Sequence, residues 1–321
     1  MENMYQNMYQ NRGALVREEI RRTRHRSELL LYTVCILAGL IAACFVVFFL
    51  SDDLDVIAEL KNLLGFFGLE EGGADYTGGL VVLLILAGLI GGVASIIFML
   101  VAYIASVYAM YAQQLSYSIR VSEKNFPEIY WKVREFSELM DLPVVPEVYV
   151  QQMNGELNAF TCWVPGRIFI QLNAEIVDLA YMENKDFDTV FFILAHEMGH
   201  AYLHHVQLQY TLWCMPVNFI PVLGTYILYP LLSRSREYSA DRVAQALTGG
   251  TGELSAMMML SAGRHAYKYV SPEDYLREIT RKRKPLERFA VWVVNLLASH
   301  PIMPYRVRAI MDPGKKSGKL L

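Results

Sequence analysis

The sequence predicts a mostly helical α+β protein in which two N-terminal transmembrane helices precede a second domain with a small β-meander. Three observations predict this class. Hydrophobic residues make up 54% of the 321 residues, which is high for a soluble protein. Two charge-free runs long enough to cross a bilayer lie within the first 112 residues. Short segments of alternating polarity cluster between residues 147 and 171, and helical periods surround them.

Residues 1–28 are predicted to form a disordered, basic tail in the cytoplasm. Residues 1–13 repeat Met-Tyr-Gln-Asn and lack an amphipathic period. Residues 14–27 carry five arginines, which favours a solvated helix against anionic lipid over a nucleic-acid arm. The net charge of -3 also argues against a nucleic-acid partner.

Residues 29–112 are predicted to hold the two membrane spans. The runs Leu29–Leu50 and Gly79–Ala112 contain no charged residue, and the first is too long for the apolar part of a cleaved signal peptide. The loop between them is acidic, whereas basic residues flank both runs. The positive-inside rule therefore predicts a multi-pass protein of the cell membrane, with the lipid bilayer as partner and the rest of the chain in the cytoplasm.

Residues 113–312 are predicted to form the second domain, with a flexible tail over 313–321. Residues Phe126 to Met140 are predicted to form an amphipathic helix entered through Pro127. Alternating segments then predict three consecutive strands, with a hairpin at Asn154-Gly155 and a turn at Pro165-Gly166. These strands constitute the predicted meander.

The sequence His196-Glu-Met-Gly-His200 lies in an apolar run that favours a buried helix. Residues four apart share a helix face, so His196 and His200 present two imidazoles to one metal ion. Glu197 points elsewhere, as required of a carboxylate that takes a proton from a zinc-activated water. The alternative is a buried helix whose histidines bond to carbonyl groups.

Catalytic zinc needs a third protein ligand, and the best candidate is Glu237 in Glu237-Tyr-Ser-Ala-Asp241. Asp241 lies one helical turn further on and shares its face. It is therefore predicted to accept a hydrogen bond from a ligand histidine and fix its tautomer. The alternative is an exposed helix with charges at i and i+4.

At this point the chain resembles the HtpX-like membrane-bound zinc metallopeptidases, gluzincin-type relatives of the CAAX prenyl endopeptidases. The resemblance covers roughly Asp141 to Met311 and rests on motifs in the family's order: Asn158-Ala159-Phe160, His196-Glu-Met-Gly-His200, Glu237-Tyr-Ser-Ala-Asp241 and Ser299-His-Pro301 with Arg306. It implies a zincin-like metallopeptidase domain with one Zn²⁺ per chain. The implied zinc ligands are His196, His200 and Glu237, with Glu197 as general base.

The same resemblance implies that His300 and Arg306 are catalytic residues facing the scissile carbonyl, with Asp241 in support. Taken alone, Ser-His-Pro is also an ordinary helix stop. Asn158, Ala159 and Phe160 are predicted to bind substrate, since an edge strand beside a zinc site can pair with an extended peptide. His204 and His205 follow the zinc helix and are predicted to lie at the surface or a membrane interface.

The predicted function is that of a membrane-anchored, zinc-dependent endopeptidase acting on polypeptides, chiefly membrane or misfolded proteins. The alternatives are an inactive zinc-binding scaffold with a chaperone-like role and a CAAX-type prenyl-protein endopeptidase. Gln207 to Leu232 is a third charge-free stretch, interrupted by prolines. A single crossing there would separate the histidines from Glu237, so a re-entrant hairpin, an interfacial hairpin or buried core is predicted.

Overall fold

The computed structural model describes residues 13–52, 76–183, 185–214, 220, 222–281, 284–312 and 318–320. Residues 1–12 of the predicted N-terminal tail, most of the acidic loop and most of the predicted C-terminal tail lie outside these residues. In chain order the described helices are α1 (13–21), α2 (Glu28–Asp52), α3 (Tyr76–Tyr117), α4 (Pro127–Met140), α5 (Ala174–Asp178), α6 (Phe187–Tyr202), α7 (Leu208–Cys214), α8 (Tyr229–Thr248), α9 (Glu253–Ala262), α10 (Pro272–Thr280), α11 (Pro285–Leu297) and α12 (Met303–Met311). The strands are β1 (Ile119–Arg120), β2 (Glu147–Gln151), β3 (Ala159–Val164) and β4 (Arg167–Asn173).

The four strands form a mixed sheet in the order β1-β2-β4-β3, so the prediction of a meander was wrong. β3 and β4 form an antiparallel hairpin across Pro165-Gly166, whereas β2 pairs with β4 in parallel. The turn at Asn154-Gly155 exists, since both residues have positive φ, but it lies inside a longer connection. That connection carries the chain past β4, which leaves β3 at the outer edge.

The helix α1 was predicted as a solvated helix against lipid within a basic tail, but one of its faces is buried in the domain. Val16 and Ile20 are buried in the same hydrophobic cluster as α4, α6 and the sheet, and Ile20 is only 1% exposed. These two residues are four apart and share a helix face, a pattern that the surrounding arginines obscure. The chain between residues 13 and 28 is therefore part of the folded domain.

The two N-terminal apolar runs are both helical. Within the described side chains, Ile97–Tyr117 is long and apolar enough to cross a membrane, and only 11% of that window is buried. The described apolar part of α2, Glu28–Ala42, is shorter. The helix α3 continues past the predicted boundary at residue 112, and Gln114 near its end donates to Gln171 of the sheet (2.5 Å). Two membrane spans therefore stay a prediction.

The helices α6 and α8 cross at the centre of the domain and position the candidate site. The side chain of Asp186 caps α6 by accepting from the Thr189 N–H (3.1 Å). Pro230 lies in the first turn of α8, and Gly249 with φ 68° ends it. At the crossing, a Cβ on Gly199 would lie 3.1 Å from Val243 Cβ and 3.3 Å from the Ala240 backbone. Only glycine allows this approach without displacing a neighbour.

The described parts of the third charge-free stretch, α7 and a π-helical turn over Gly224–Leu228, both pack against α2. Tyr210 of α7 meets Tyr32 of α2 edge to face, with ring centroids 5.3 Å apart. The stretch therefore lies beside the first N-terminal helix, and its relation to a bilayer stays a prediction.

Candidate metal site

Three predicted ligands converge where α6 crosses α8. His196 and His200 project from one face of α6, and their Nε2 atoms are 3.3 Å apart. Glu237 approaches from α8, with one carboxylate oxygen 3.5 Å from His196 Nε2 and the other 3.5 Å from His200 Nε2. One donor atom from each residue lies within 4.8 Å of the others. The residues thus form a cluster that can hold a metal ion.

This donor set fits zinc in chemistry and in size. Two imidazole nitrogens and one carboxylate oxygen match a catalytic zinc site, which keeps its fourth position open. With zinc–ligand bonds of about 2.0–2.2 Å, the ligand atoms of a tetrahedron are about 3.3–3.5 Å apart. The His196–His200 separation of 3.3 Å agrees with that geometry. Each of the two Glu237 oxygens lies 3.5 Å from a different histidine nitrogen, so the carboxylate lies between the two imidazoles.

A second carboxylate lies behind His196. Asp241 Oδ1 is 2.8 Å from His196 Nδ1, although the approach is too oblique for a regular hydrogen bond. Arg306 in turn donates from Nε and Nη2 to the two Asp241 oxygens, at 2.9 and 2.6 Å. At 2.8 Å the Asp241 carboxylate is nevertheless close enough to hold the proton of His196 on Nδ1. The His196 Nε2 lone pair then faces the cluster.

The electrostatics of the site favour a cation. Burial alone would lower the pKa of His196, but the carboxylates of Asp241 and Glu237 outweigh it and raise that pKa to about 10. Burial likewise opposes ionisation of Glu237, yet its histidine neighbours hold the pKa of this carboxyl well below its usual range. A position that stabilises a proton so strongly also suits a metal ion.

Glu197 lines the same cavity and is held by the edge strand β3. The Thr161 hydroxyl lies 2.7 Å from Glu197 Oε2 and 2.9 Å from the Glu197 carbonyl oxygen. Its single proton has two acceptors within reach, and donation to either one holds Glu197 against β3. The sequence analysis missed Thr161, although strand alternation places it on the same face as Ala159.

The cavity over the cluster has a volume of about 460 Å³. Its walls include the three predicted substrate-binding residues, the ligands, Glu197, His300 and Arg306: Asn158, Ala159, Phe160, His196, Glu197, His200, Glu237, His300 and Arg306. The His300 side chain is 65% exposed, and its Nδ1 lies 3.2 Å from Glu237 Oε2. This contact raises the pKa of His300.

The sequence model of Peptidase family M48 matches residues 123–313, which is more than half of the chain. The chain belongs to peptidase family M48. This family contains HtpX and the CAAX prenyl endopeptidases, so the resemblance is confirmed for the family. M48 peptidases are metal-dependent proteases, and the chain is accordingly a metallopeptidase. No solved structure matches the chain.

Within this M48 domain, the structure brings all of the predicted site residues to one cavity or directly behind it. Arg306 differs from the predicted arrangement in its contacts. Its guanidinium is buried against Asp241, with Nη1 also 3.5 Å from Glu237 Oε2. These contacts favour a role in holding the acidic residues over one at the substrate carbonyl.

The surface position predicted for His205 was wrong. His205 is buried, and its Nδ1 lies 2.8 Å from Nδ1 of the candidate ligand His200. Residues near His205 in the sequence do not indicate this burial, because His205 Nε2 contacts Glu28, 177 residues earlier in the chain. His204 is half-buried and stacks on Tyr210, with centroids 6.0 Å apart.

Proposed function

We propose that this protein is a zinc-dependent endopeptidase, anchored in the cell membrane by α2 and α3, that cleaves membrane or misfolded polypeptides on the cytoplasmic side. The observation that carries the proposal is the convergence of His196, His200 and Glu237 in one cavity with Glu197. Two imidazoles and a carboxylate are the ligand types of catalytic zinc, and the carboxylate of Glu197 supplies the base that hydrolysis needs.

The chemistry divides between the metal and the chain's own residues. When bound, zinc would polarise the peptide carbonyl and lower the pKa of a water molecule towards about 7. Glu197, fixed by Thr161, accepts the proton of the attacking water and later returns it to the leaving amine. Asp241 and Arg306 keep His196 in the tautomer that leaves Nε2 free.

His300 is the residue we assign to the developing oxyanion. Its side chain lies at the open side of the cavity, within reach of both Glu237 and an incoming substrate. An imidazole N–H aimed at the carbonyl oxygen stabilises the negative charge that forms there. Arg306 contributes indirectly, through Asp241.

The edge strand β3 offers a binding surface for an extended polypeptide. The Asn173 N–H donates to the Asn158 carbonyl (3.1 Å), which fixes the hydrogen-bonded register between β4 and β3. In such a pair the main-chain groups of alternate residues point away from the partner strand. Those of Ala159 and Thr161 therefore lie on the outer edge, where a substrate strand can add by backbone hydrogen bonds.

The contacts of α2 and α3 support the proposed topology. Glu28, at the start of α2, contacts His205 beside the metal site. Tyr111, near the end of α3, donates to Glu147 of the sheet (2.9 Å). The start of α2 and the end of α3 thus both contact the peptidase domain. This is expected when two spans form a hairpin whose connecting loop lies on the opposite side of the membrane from the domain. By the positive-inside rule, the five arginines in residues 14–27 support a cytoplasmic position for the domain side; they are Arg17, Arg21, Arg22, Arg24 and Arg26.

The test uses the full-length protein in detergent, with zinc content and cleavage of an unfolded polypeptide measured together. We expect one zinc per chain, and we expect chelation to abolish cleavage and zinc to restore it. Glu197→Gln should keep the zinc and lose cleavage, whereas His200→Ala should lose both. Full cleavage by Glu197→Gln would refute the mechanism. Zinc binding without cleavage in the wild type would favour a scaffold, and cleavage confined to a prenylated CAAX peptide would favour the prenyl-protein activity.

A further inference from the structure

The ligand His200 has a partner that comes from far outside the peptidase motif. Its Nδ1 lies 2.8 Å from His205 Nδ1, and His205 Nε2 lies 3.2 Å from Glu28 Oε1. Glu28 is fully buried at the start of α2, and it precedes the region matched by the family, residues 123–313. A chain of hydrogen bonds therefore connects the metal site to the N-terminal segment.

The backbone places His205 for this contact. His204 has φ 64° in the left-handed region, so the chain reverses directly after α6. The His205 N–H then donates to the His200 carbonyl (2.9 Å), and the two rings lie with centroids 5.0 Å apart. This local turn, rather than a continued helix, brings the His205 ring beside the ligand.

The hydrogen-bond network determines the tautomers of both rings. Glu28 is ionised beside Arg24 and accepts from the Ser239 hydroxyl as well as from His205. A carboxylate only accepts, so the His205 ring donates to Glu28 from Nε2. In the tautomer that carries its proton on Nε2, His205 Nδ1 accepts from His200 Nδ1–H. The His200 Nε2 lone pair is then left facing the metal cluster.

The same carboxylate joins the two helices that supply the ligands. Ser239 belongs to α8 and lies two residues after Glu237, whereas His205 follows α6. Arg24 reinforces the connection by donating to the Leu203 carbonyl at the end of α6 (2.8 Å). The His25 N–H donates to Ser239 Oγ (2.8 Å). Residues 24–28 thus hold α6 and α8 in register at the metal site.

We propose that His205 and Glu28 are positioning residues for the metal ligand His200, so that the segment before the first apolar helix is a working part of the metal site. This inference rests on the proposed zinc site. His205 borders the cavity beside His200, whereas Glu28 is fully buried behind it. Both act through the orientation and tautomer of His200. Loss of such a partner of a ligand histidine typically lowers metal affinity about 10–100-fold.

The experiment measures the zinc affinity of full-length variants by competition with a chromophoric chelator, together with the absorption spectrum of the Co²⁺-loaded protein. His205→Phe keeps a ring and removes the acceptor, and we expect an affinity loss of about 10–100-fold with a changed Co²⁺ spectrum. In His205→Asn the side-chain oxygen takes the place of Nδ1, so this variant should recover part of the lost zinc affinity. His204→Phe makes the same substitution one residue earlier and should bind zinc as the wild type does.

Double variants separate positioning from general stability. The double variant Glu28→Gln/His205→Phe should lose no more zinc affinity than His205→Phe alone, because both residues act through one hydrogen-bond chain. Asp241→Asn acts on His196 instead of His200. The factor by which it lowers zinc affinity should therefore multiply with the factor for His205→Phe. Melting in the presence of chelator reports the metal-free fold. A purely structural role would lower that melting temperature and leave zinc affinity unchanged.

The outcomes distinguish the two proposals. Wild-type zinc affinity in His205→Phe, or an equal loss in His204→Phe, would overturn the positioning role while leaving the zinc peptidase intact. A wild-type protein that binds no zinc would overturn the proposed function and this inference with it. If His205→Phe does not fold, His205→Asn and Glu28→Gln carry the same comparison.

Discussion

Gly199 lies where the two helices that carry the candidate ligands, α6 and α8, are in close contact. Whether Gly199→Ala stabilises or destabilises the protein tests this packing. In an ordinary helix, replacing glycine by alanine stabilises the fold by about 1 kcal/mol. At Gly199 the added Cβ would meet Val243 Cβ at 3.1 Å and two backbone atoms of Ala240 at 3.3 Å. Backbone atoms in the middle of α8 cannot move without moving the helix, so overpacking here costs about 1–3 kcal/mol. We expect Gly199→Ala to destabilise the protein by up to about 2 kcal/mol.

The same displacement should also affect the metal site, because Ala240 follows Glu237 by three residues on α8. Separating α6 from α8 moves the Glu237 carboxylate away from the two imidazoles and weakens zinc binding. The assay is chemical denaturation in the presence of chelator, followed by a zinc titration of the folded variant. A Gly199→Ala protein that is more stable than the wild type and binds zinc equally well would refute the close packing at this crossing.

Three further predictions concern the base, the sheet and the start of α9. Thr161→Val removes the hydroxyl on Glu197 and should lower kcat/KM about tenfold or more, with zinc content unchanged; unchanged kcat/KM would count against this role. Burial disfavours ionised Glu147, but hydrogen bonds from two tyrosines and nearby arginines hold the pKa of this carboxyl below its usual range. Its stabilising contribution is therefore present above about pH 4.3 and lost as the pH falls through the lower folded-state pKa. The difference in melting temperature between wild type and Glu147→Gln should accordingly shrink in acid, and a constant difference would contradict it. Gly252 has φ 73°, and a Cβ there would lie 2.1 Å from the Asp188 carbonyl oxygen, so Gly252→Ala should lose more than about 3 kcal/mol of unfolding free energy in denaturant titrations, whereas near-native stability would exclude that contact.

Local patterns in the sequence were sufficient for the metal cluster. The spacing of His196 and His200 and that of Glu237 and Asp241 are helical periods, and a helix depends mainly on interactions within a few residues. The same is true of α4, which begins at Pro127 and ends at Met140 as predicted. Each pattern fixes which side chains share a face. The identity of the residue types then restricts what such a face can bind.

Strand pairing was not accessible in the same way. The strands β3 and β4 both alternate in polarity, so either could pair with β2. The alternation alone does not show that β2 pairs with β4 and not with β3, the next strand in the sequence. The connection between β2 and β3 is longer than a tight hairpin, so it permits β4 to insert between them. The tight turn at Pro165-Gly166 is the only one of the two predicted turns in this region that joins directly paired strands.

The role of the N-terminal segment was hidden for a different reason. Composition describes residues 14–27 as basic, but the fold uses the few apolar and acidic residues among the arginines. Ile20 enters the hydrophobic cluster, and Glu28 bonds to His205, 177 residues away along the chain. A contact of that sequence separation exists only once the domain has folded, so no window of sequence contains it.

The two hydrogen-bond chains behind the ligand histidines follow one electrostatic design. Behind His196 lies Asp241, which pairs with Arg306; behind His200 lie His205 and then Glu28, which pairs with Arg24. A buried carboxylate without a cation would be costly, and a bare arginine equally so. Each chain therefore ends in a positive charge that lets its carboxylate stay ionised. Arg306 also approaches Glu237, with Nη1 3.5 Å from Oε2, and a metal ion bound at the cluster would offset the negative charge of this carboxylate directly. A variant that removes either arginine should thus weaken zinc binding through the carboxylate it leaves unpaired, even though neither arginine is a ligand.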